Sequence, residues 1–521
     1  MPDYIYLLES RLSPEQRAVL ERVQELSRSQ DVNIYLRGGA VRDLISGQPI
    51  RDLDFTVEGN PVRMVRELEK GGARTLWESE KLRHYEMIFA GDVDGSISSA
   101  RDDVYEKPGA KPEYRFSGIM EDLRRRDFSI NAIAISLNTQ SRGLLLDPTN
   151  GLADLEKQEV RALTNHAFTN QPVRVMRILR YCARMNFRME SRTQEWFDLA
   201  IERELHKNLE GADVGNEVRS LAREDNPVAT LKQWESHDML AAIHPQLQRR
   251  KPDYDSLNKL TRLRGNLMAA GLRPRLNVPV TYYTLGRLKD REAAAAMRNM
   301  EFRAAEIKEV DELVPEAQKI VHNLKGRKTN APKDAYFYLA SVPPEMLAFI
   351  EVEMPNPKAI SKIRSYLQKW RPLRLGLPVG ELDALGVPRG PKFDKVIEDL
   401  FELQLRGRGR DPESRVKILR NLAGIKEEPK KKPEKEKKRK GKEAGAAEGK
   451  REKSKREVPS AAPVPAAAAK PAAASETAAS GAAATTKAKG KPAKPAAKRA
   501  ASKRARPAAK SKGRTAKSRR R

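Results

Sequence analysis

Hydrophobic residues change their spacing along the chain near residue 150. Before that point, short runs alternate apolar and polar residues at the two-residue period of a strand, and they predict strands at 33–36, 52–57, 85–90, 95–99 and the end of 131–137. Helices are predicted between them, after Ser13 and over 40–46 and 61–70. Beyond residue 150 most apolar segments follow the helical period, as in 171–185, 214–223 and 391–405. The pattern therefore predicts a mixed α/β unit followed by a helical region that runs to about residue 423.

Residues 102–118 interrupt this pattern. The segment is polar and contains two prolines and two glycines, which disfavour a regular element. We therefore expect a mobile loop between the predicted strands.

The last hundred residues differ in composition from the rest of the chain. Of the net charge of +29, residues 426–521 carry +23, from 32 basic and 9 acidic side chains, and they include no aromatic residue. Such a segment cannot bury enough apolar surface to offset its chain entropy, so we predict a disordered tail. The tail is either a solubilising extension or an arm that binds nucleic-acid phosphates, and the absence of acids after Glu476 favours the arm.

The cysteine content and the absence of long apolar runs exclude several classes of protein. The single Cys182 excludes a disulfide framework and a multi-cysteine zinc site. No run approaches the roughly 20 apolar residues that a membrane span needs, and the first residues do not resemble a signal peptide. We therefore expect a cytoplasmic protein with no membrane partner.

Two aspartates and a glycine pair form the first candidate site. Gly38 and Gly39 lie between a predicted strand and a predicted helix, where backbone N–H groups can approach a phosphate, and Arg42 follows one turn later. Asp52 and Asp54 are two residues apart on a strand, so both carboxylates point to one face and can share divalent metal ions. Either motif alone would be an ordinary turn or strand end, but together they favour a metal-dependent phosphate site.

A second motif runs from three consecutive arginines into Asp127 and Asn131. Arg124, Arg125 and Arg126 alone would be a solvated surface. Followed by an acidic and an amide side chain, they suit a ribose and a triphosphate.

A third motif places Arg174, Arg177 and Arg180 three residues apart, along one side of a predicted helix. The alternative is a surface row of salt bridges. Few acidic residues lie nearby in the sequence to pair with these arginines, which favours ligand binding.

The motifs and their order resemble the class II (bacterial-type) tRNA nucleotidyltransferase and poly(A) polymerase family. The resemblance rests on GGAVRD, DLDF, SARDDVYEKPGAKPEY, RRRDFSINA, LDPTNGLADL and PVRVMRILRY. It is dense over residues 33–185, weaker beyond, and absent from the tail. It implies an α+β fold with a polymerase-β-like head of mixed sheet and helices, followed by helical neck, body and tail domains. We expect the head at 1–150, the neck at 151–240, the body and tail at 241–425, and the disordered basic segment at 426–521.

The resemblance also implies a role for each motif. Asp52 and Asp54 would hold two Mg²⁺ ions, which activate an RNA 3′-hydroxyl and stabilise the displaced pyrophosphate. The residues expected to bind the nucleotide are Gly38, Gly39, Arg42, Arg126, Asp127, Gln171, Arg174, Arg177 and Arg180. Of these, Gln171 and Arg174 would read the base, assisted by Arg177 and Arg180.

Two positions depart from the family pattern. Asn170-Gln171 occupies the place of the usual Glu-Asp, and Gln171 keeps an oxygen acceptor but is neutral, longer and able to donate, so base selectivity stays open. Ser96 stands where related sequences often carry an acid. Asp94, two residues back on the same strand face, is an alternative third metal ligand.

Three functions remain open at this point. The first is a template-independent enzyme that adds CCA, or its C or A part, to tRNA 3′ ends from CTP and ATP; the SAR…PGA segment favours it. The second is a poly(A) polymerase, which a basic tail would suit. The third is a non-catalytic RNA-binding protein, which the intact aspartates and glycine pair disfavour. The expected partners are a tRNA or other RNA 3′ end, CTP and ATP, with the tail on nucleic-acid phosphates.

Overall fold

Seven strands of the first 150 residues form one mixed sheet. The computed structural model describes residues 4–425 of the chain. Its strands are β1 (Asn33–Arg37), β2 (Leu53–Glu58), β3 (Arg74–Ser79), β4 (His84–Phe89), β5 (Val93–Ser99), β6 (Arg101–Val104), β7 (Glu113–Phe116), β8 (Ala134–Ser136), β9 (Leu145–Leu146), β10 (Glu159–Val160) and β11 (Arg188–Met189). The large sheet has the order β3-β4-β5-β2-β1-β8-β9. Only β2 and β5 run parallel within it, and β6–β7 and β10–β11 form two-stranded sheets.

Helices surround the sheet and build almost all of the chain after residue 150. They are α1 (Tyr4–Arg11), α2 (Pro14–Gln30), α3 (Gly39–Ile45), α4 (Val62–Lys70), α5 (Ile119–Arg124), α6 (Gly151–Lys157), α7 (Ala167–Asn170), α8 (Arg174–Met185), α9 (Ser191–Glu202), α10 (Gly211–Leu221), α11 (Pro227–Ser236), α12 (Leu240–Ile243), α13 (Leu247–Arg250), α14 (Tyr254–Ala269), α15 (Asn277–Leu285), α16 (Asp290–Asn299), α17 (Ala304–Lys325), α18 (Pro332–Ala340), α19 (Pro344–Glu353), α20 (Pro357–Ser365), α21 (Arg371–Leu375), α22 (Val379–Ala384), α23 (Pro391–Leu405) and α24 (Pro412–Ala423). Short 3₁₀ turns lie at Ser129–Asn131, Thr139–Ser141, Leu205–Lys207 and Arg327–Thr329, and a π-helical turn lies at Tyr366–Trp370. The predicted α+β class is confirmed.

The two faces of the sheet have opposite polarity because side chains alternate along each strand. On one face, Ile34, Leu36, Phe55, Val57 and Ile97 are fully buried in the main hydrophobic core. The other face carries polar side chains at the alternate positions: Arg37 on β1, Asp54 and Thr56 on β2, and Ser96 and Ser98 on β5. The polar face is therefore available to form a site.

The segment 102–118 is a β-hairpin, so the prediction of a mobile loop there is wrong. Four residue pairs join β6 to β7, from Arg101 opposite Phe116 to Val104 opposite Glu113. The guanidinium of Arg83 lies 3.8 Å from the centre of the Phe116 ring, which attaches the hairpin to the main sheet. Strand β3 was not predicted, because most of its side chains are exposed and it lies at the edge of the sheet.

The main core continues from the sheet into the helices. One cluster of buried apolar residues extends from Ile5 to Leu405, and a smaller one joins α22, α23 and α24. The described residues, 4–425, lie within one compact unit, so the domain boundaries predicted at 150 and 240 stay predictions. The predicted disordered tail, 426–521, lies outside the described residues. Between residues 4 and 425, no helix has the length and apolar character to cross a membrane.

Candidate active site

A cavity of about 860 Å³ lies between the sheet and the helices that follow it. Every residue that the sequence predicts for the site lines this cavity: Gly38, Gly39, Arg42, Asp52, Asp54, Arg126, Asp127, Gln171, Arg174, Arg177 and Arg180. The lining contains fifteen arginines and eight aspartates or glutamates. This excess of positive charge suits a polyanionic ligand.

The glycine pair forms the turn from β1 into α3. Gly38 has a φ of 64°, a left-handed conformation that favours glycine, and its N–H donates to the carbonyl of Ile133 at 3.1 Å. A Cβ atom on Gly39 would lie 3.6 Å from Asp52 Oδ1 and 3.7 Å from Arg42 Nη2. The turn, the aspartate and the arginine are therefore neighbours, as the motif spacing predicts.

Asp52 immediately precedes β2 and Asp54 is its second residue, so the two carboxylates concentrate negative charge there. Ser96 Oγ donates to Asp54 Oδ1 at 2.6 Å. Burial and the charge of Asp54 raise the pKa of Asp52 to about 6, although Arg223, 3.9 Å away, opposes the shift. A carboxylate such as Asp52, whose charged form is disfavoured by a second carboxylate beside it, fits a divalent cation, which would relieve the repulsion.

Asp94 is not positioned as a third member of this pair. Its carboxylate is 3.4 Å from the guanidinium of Arg275, which reaches it from the segment between α14 and α15. The described part of the chain contains no group of three His, Cys, Asp or Glu side chains that could hold a metal ion. The geometry favours the two-carboxylate alternative.

The motif around Asp127 is held by a network of hydrogen bonds. Arg126 donates to the buried Asp122 at 2.5 Å. Asp127 accepts from Asn131 Nδ2 and from Arg177 Nη1, each at 3.1 Å. Although burial alone would raise the pKa of Asp127, the charge of Arg177 lowers it to about 2. Asp127 is therefore a carboxylate at neutral pH.

The arginine row of α8 has acidic partners, contrary to the prediction from its neighbours in sequence. Glu217 of α10 accepts from Arg177 Nε at 2.6 Å and from Arg180 Nε at 3.0 Å. Glu224 accepts from Arg180 Nη1 at 2.9 Å. Glu217 lies in α10 and Glu224 lies just after its end, so no helical period in the sequence links them to the arginine row. They hold Arg177 and Arg180 in place at the cavity wall.

The Asn170-Gln171 pair contacts the tip of the β6–β7 hairpin. Gln171 Nε2 donates to Tyr105 Oη at 3.3 Å, and its Oε1 accepts from Arg174 Nε at 3.1 Å. Asn170 Oδ1 accepts from the N–H of Gly109 at 3.0 Å. The departure from the family pattern therefore lies where the hairpin meets α8.

The comparisons with known proteins agree with the geometry. Residues 34–161 match the family model described as the poly A polymerase head domain. The matched residues contain the glycine turn, Asp52, Asp54, Arg126 and Asp127. Gln171 and the arginines of α8 lie beyond its end.

The similarity to curated relatives extends past the head. The A-adding tRNA nucleotidyltransferase of Geobacter sulfurreducens is 24% identical over 433 residues, covering 80% of this chain and 48% of the relative. The A-adding tRNA nucleotidyltransferase of Halalkalibacterium halodurans is 34% identical over 250 residues, covering 46% of this chain and 56% of the relative. The chain thus spans about half the length of these relatives. The predicted relationship to tRNA nucleotidyltransferases is confirmed.

Among solved structures, the CCA-adding enzyme of Thermotoga maritima complexed with tRNA is 23% identical. The match covers 81% of this chain and 98% of that one, with a TM-score of 0.41.

Several residues of the cavity were not predicted from the sequence. Arg37, which directly precedes the glycine pair, is one of them. Arg223, Arg273 and Arg275 reach the cavity from the helical region. No spacing signal links these three arginines to residues 34–161, because they come close to that segment only through the fold.

Proposed function

We propose that this protein is a template-independent nucleotidyltransferase that adds CCA, or its C or A part, to tRNA 3′ ends and releases pyrophosphate. The observation that carries the proposal is the placement of Asp52 beside Gly39 and Arg42, with Asp54 next to it, in one arginine-lined cavity. The similarity to A-adding tRNA nucleotidyltransferases supports the choice of tRNA as substrate. A cytoplasmic location and partners CTP and ATP belong to the same proposal.

The two aspartates would hold divalent metal ions, with Mg²⁺ as the proposed species. Bound there, the ions would lower the pKa of the RNA 3′-hydroxyl and stabilise charge on the leaving pyrophosphate. Hard cations of this kind prefer carboxylate oxygens and keep waters for the phosphates.

The other residues of the chain bind and orient the nucleotide. The backbone of the glycine turn and Arg42 face the triphosphate, and Arg126 and Asp127 face the sugar and phosphates. Gln171 and Arg174 contact the base, with Arg177 and Arg180 fixed behind them by Glu217. We assign 1–150 to catalysis, 151–240 to base recognition and 241–425 to tRNA binding.

The second candidate is a poly(A) polymerase. The observation in its favour is the net charge of +23 over residues 426–521, since a non-specific polyanion-binding arm suits an enzyme that acts on many RNAs. The two candidates share the same chemistry and differ in the RNA and in where addition stops.

One incorporation assay separates these candidates. Purified protein and Mg²⁺ are incubated with tRNA transcripts ending at the discriminator base, at C and at CC, and with an unstructured RNA, and labelled CTP or ATP is supplied in turn. Addition that stops at or before CCA on tRNA supports the proposal. Long A tracts on the unstructured RNA would instead support the poly(A) polymerase.

Variants of the aspartates test the site itself. Asp52→Asn and Asp54→Asn should each abolish incorporation while tRNA binding persists. Asp94→Asn is the matched control, because this carboxylate also lines the cavity but faces Arg275, and it should retain activity. Incorporation by the Asp52 or Asp54 variant would refute the assigned metal role.

A further inference from the structure

Four buried arginines line the cavity, and they divide into two kinds. Arg42 and Arg180 each form an ion pair with a carboxylate. Arg37 and Arg174 are 8% and 7% exposed, yet neither has a carboxylate oxygen within 4 Å among residues 4–425. Burying a cation without a counter-ion is costly. The burial of these two unpaired guanidinium groups therefore needs an explanation. The proposed contact of Arg174 with the base explains one of them, and Arg37 has no role so far.

Arg37 is held rigidly beside the aspartate pair. Its Nε donates to Thr56 Oγ1 at 2.6 Å, and its Nη2 donates to Ser98 Oγ at 3.1 Å. Thr56 follows Asp54 by two residues on β2, and Ser98 follows Ser96 by two on β5, so all four side chains lie on the polar face of the sheet. Asp54 and Ser96 are themselves paired across the strands. The guanidinium of Arg37 thus lies one row beyond Asp54.

The charges next to Arg37 leave an excess of positive charge. Arg101, Arg125 and Arg126 share two carboxylates: Asp103 pairs with Arg101 and Arg125, and Asp122 pairs with Arg125 and Arg126. Neither carboxylate pairs with Arg37. Burial and the charge of Arg126 lower the pKa of Arg37 to about 10, so the group is still protonated at neutral pH. Asp54 and Asp122 oppose that lowering, so four guanidinium groups face three acids along this wall: Asp54, Asp103 and Asp122.

We propose that Arg37 forms an additional phosphate-binding subsite, in which its fixed guanidinium bonds phosphate oxygens next to Asp54. The proposal rests on the proposed function, because it places this subsite within the nucleotide- and RNA-binding cavity. A planar guanidinium with two of its donors already fixed presents its remaining N–H groups to a phosphate at little entropic cost. The phosphate belongs either to the nucleoside triphosphate or to the last phosphodiester of the RNA.

Pyrophosphate binding without Mg²⁺ tests the subsite directly, independently of transfer activity. Full-length protein and Arg37→Met are titrated with sodium pyrophosphate by calorimetry. The variant should bind about 10- to 100-fold more weakly, the usual value of a hydrogen bond to a charged group. Arg37→Lys keeps the positive charge but loses the planar set of guanidinium donors, so its pyrophosphate affinity should lie between those of the wild type and Arg37→Met. Unchanged pyrophosphate affinity in both variants would overturn the proposal.

Melting temperatures distinguish a phosphate ligand from a purely structural role. Arg161 is the matched control, since it is partly buried outside the cavity and forms an ion pair with Asp154. Arg161→Met should lower the melting temperature because it leaves Asp154 unpaired, whereas Arg37→Met should leave it unchanged or raise it. If the melting temperature of Arg37→Met falls as far as that of Arg161→Met, the role of Arg37 is only structural, through its hydrogen bonds to β2 and β5. If Arg37→Met does not fold, Arg37→Lys decides the question by its pyrophosphate affinity.

Steady-state kinetics identify the source of the phosphate. A raised KM for ATP or CTP in Arg37→Lys, with the RNA KM unchanged, assigns the subsite to the triphosphate. A raised KM for RNA alone assigns it to the RNA backbone. If the protein shows no transfer activity at all but Arg37→Met still weakens pyrophosphate binding, the proposed function fails and the subsite stands.

Discussion

The buried carboxylate of Glu217 links the arginines of α8 to the helix that follows them. Its side chain is 2% exposed and receives one Nε–H from Arg177 and one from Arg180. Glu217→Gln keeps the shape and one oxygen but removes the charge. It also turns an amide N–H group toward a guanidinium donor.

The cost of this change follows from the partners that remain. Removing one member of a buried ion pair costs about 3–5 kcal/mol, because the other charge stays buried without compensation. Here Arg177 keeps Asp127 and Arg180 keeps Glu224, so we expect the lower end, about 3 kcal/mol. Because each arginine loses one of its two carboxylate partners, both should also shift at the cavity wall, which raises the KM for the nucleotide.

Thermal unfolding followed by circular dichroism measures the effect. Glu217→Gln should melt at least about 3 °C below the wild type. The control is Glu204→Gln, since Glu204 forms an exposed pair with Lys207, and such pairs contribute little. If Glu217→Gln has the melting temperature and the nucleotide KM of the wild type, the ion pairs of Glu217 do not fix the positions of Arg177 and Arg180.

Three further predictions concern acid stability, the central strands and the tail. The folded pKa of Asp127, about 2, lies below its ordinary 3.8, so its contribution of about 2 kcal/mol is complete above pH 4 and lost as the pH falls to 2. The melting-temperature gap between wild type and Asp127→Asn should close over that range, and a constant gap would contradict the assignment. Gly95→Ala would place a Cβ 2.1 Å from the carbonyl oxygen of Leu53, so it should lower both the melting temperature and incorporation, while Gly380→Ala, with no atom within 4 Å, should change neither. Removing residues 426–521 should preserve incorporation and reduce the salt dependence of RNA binding measured by filter retention; an equal salt slope would exclude the tail as a phosphate-binding arm.

Much of the fold could be predicted because its signals are local. Ser13 caps α2 through a reciprocal pair of hydrogen bonds with Gln16, and both residues are recognisable in the sequence. The alternation in β2 locates Asp54 on the polar face before any coordinates are known. The glycine turn next to Asp52 follows from the order of strand, turn and helix. In each case the residues that decide the structure are close in sequence.

The contacts that could not be predicted join distant parts of the chain. Arg275 reaches Asp92 across 183 residues of sequence, and Glu217 reaches Arg177 across 40. The β6–β7 hairpin has few apolar residues, so its stability depends on tertiary contacts such as that of Arg83 with Phe116 rather than on an apolar pattern. Pairs of side chains from segments that are distant in sequence leave no periodic pattern in that sequence, so they could not be predicted from it.

The pairing of the arginines decides which of them are available to a ligand, and composition alone cannot show it. The row Arg174, Arg177 and Arg180 looks uniform in sequence, yet glutamates fix Arg177 and Arg180, whereas Arg174 has no carboxylate partner between residues 4 and 425. A guanidinium that already pairs with a buried carboxylate gains little from a phosphate, since it would have to give up that partner. An unpaired one gains its first counter-ion. Binding should therefore depend most on the arginines whose burial is not yet compensated, namely Arg174 at the start of α8 and Arg37 beside Asp54.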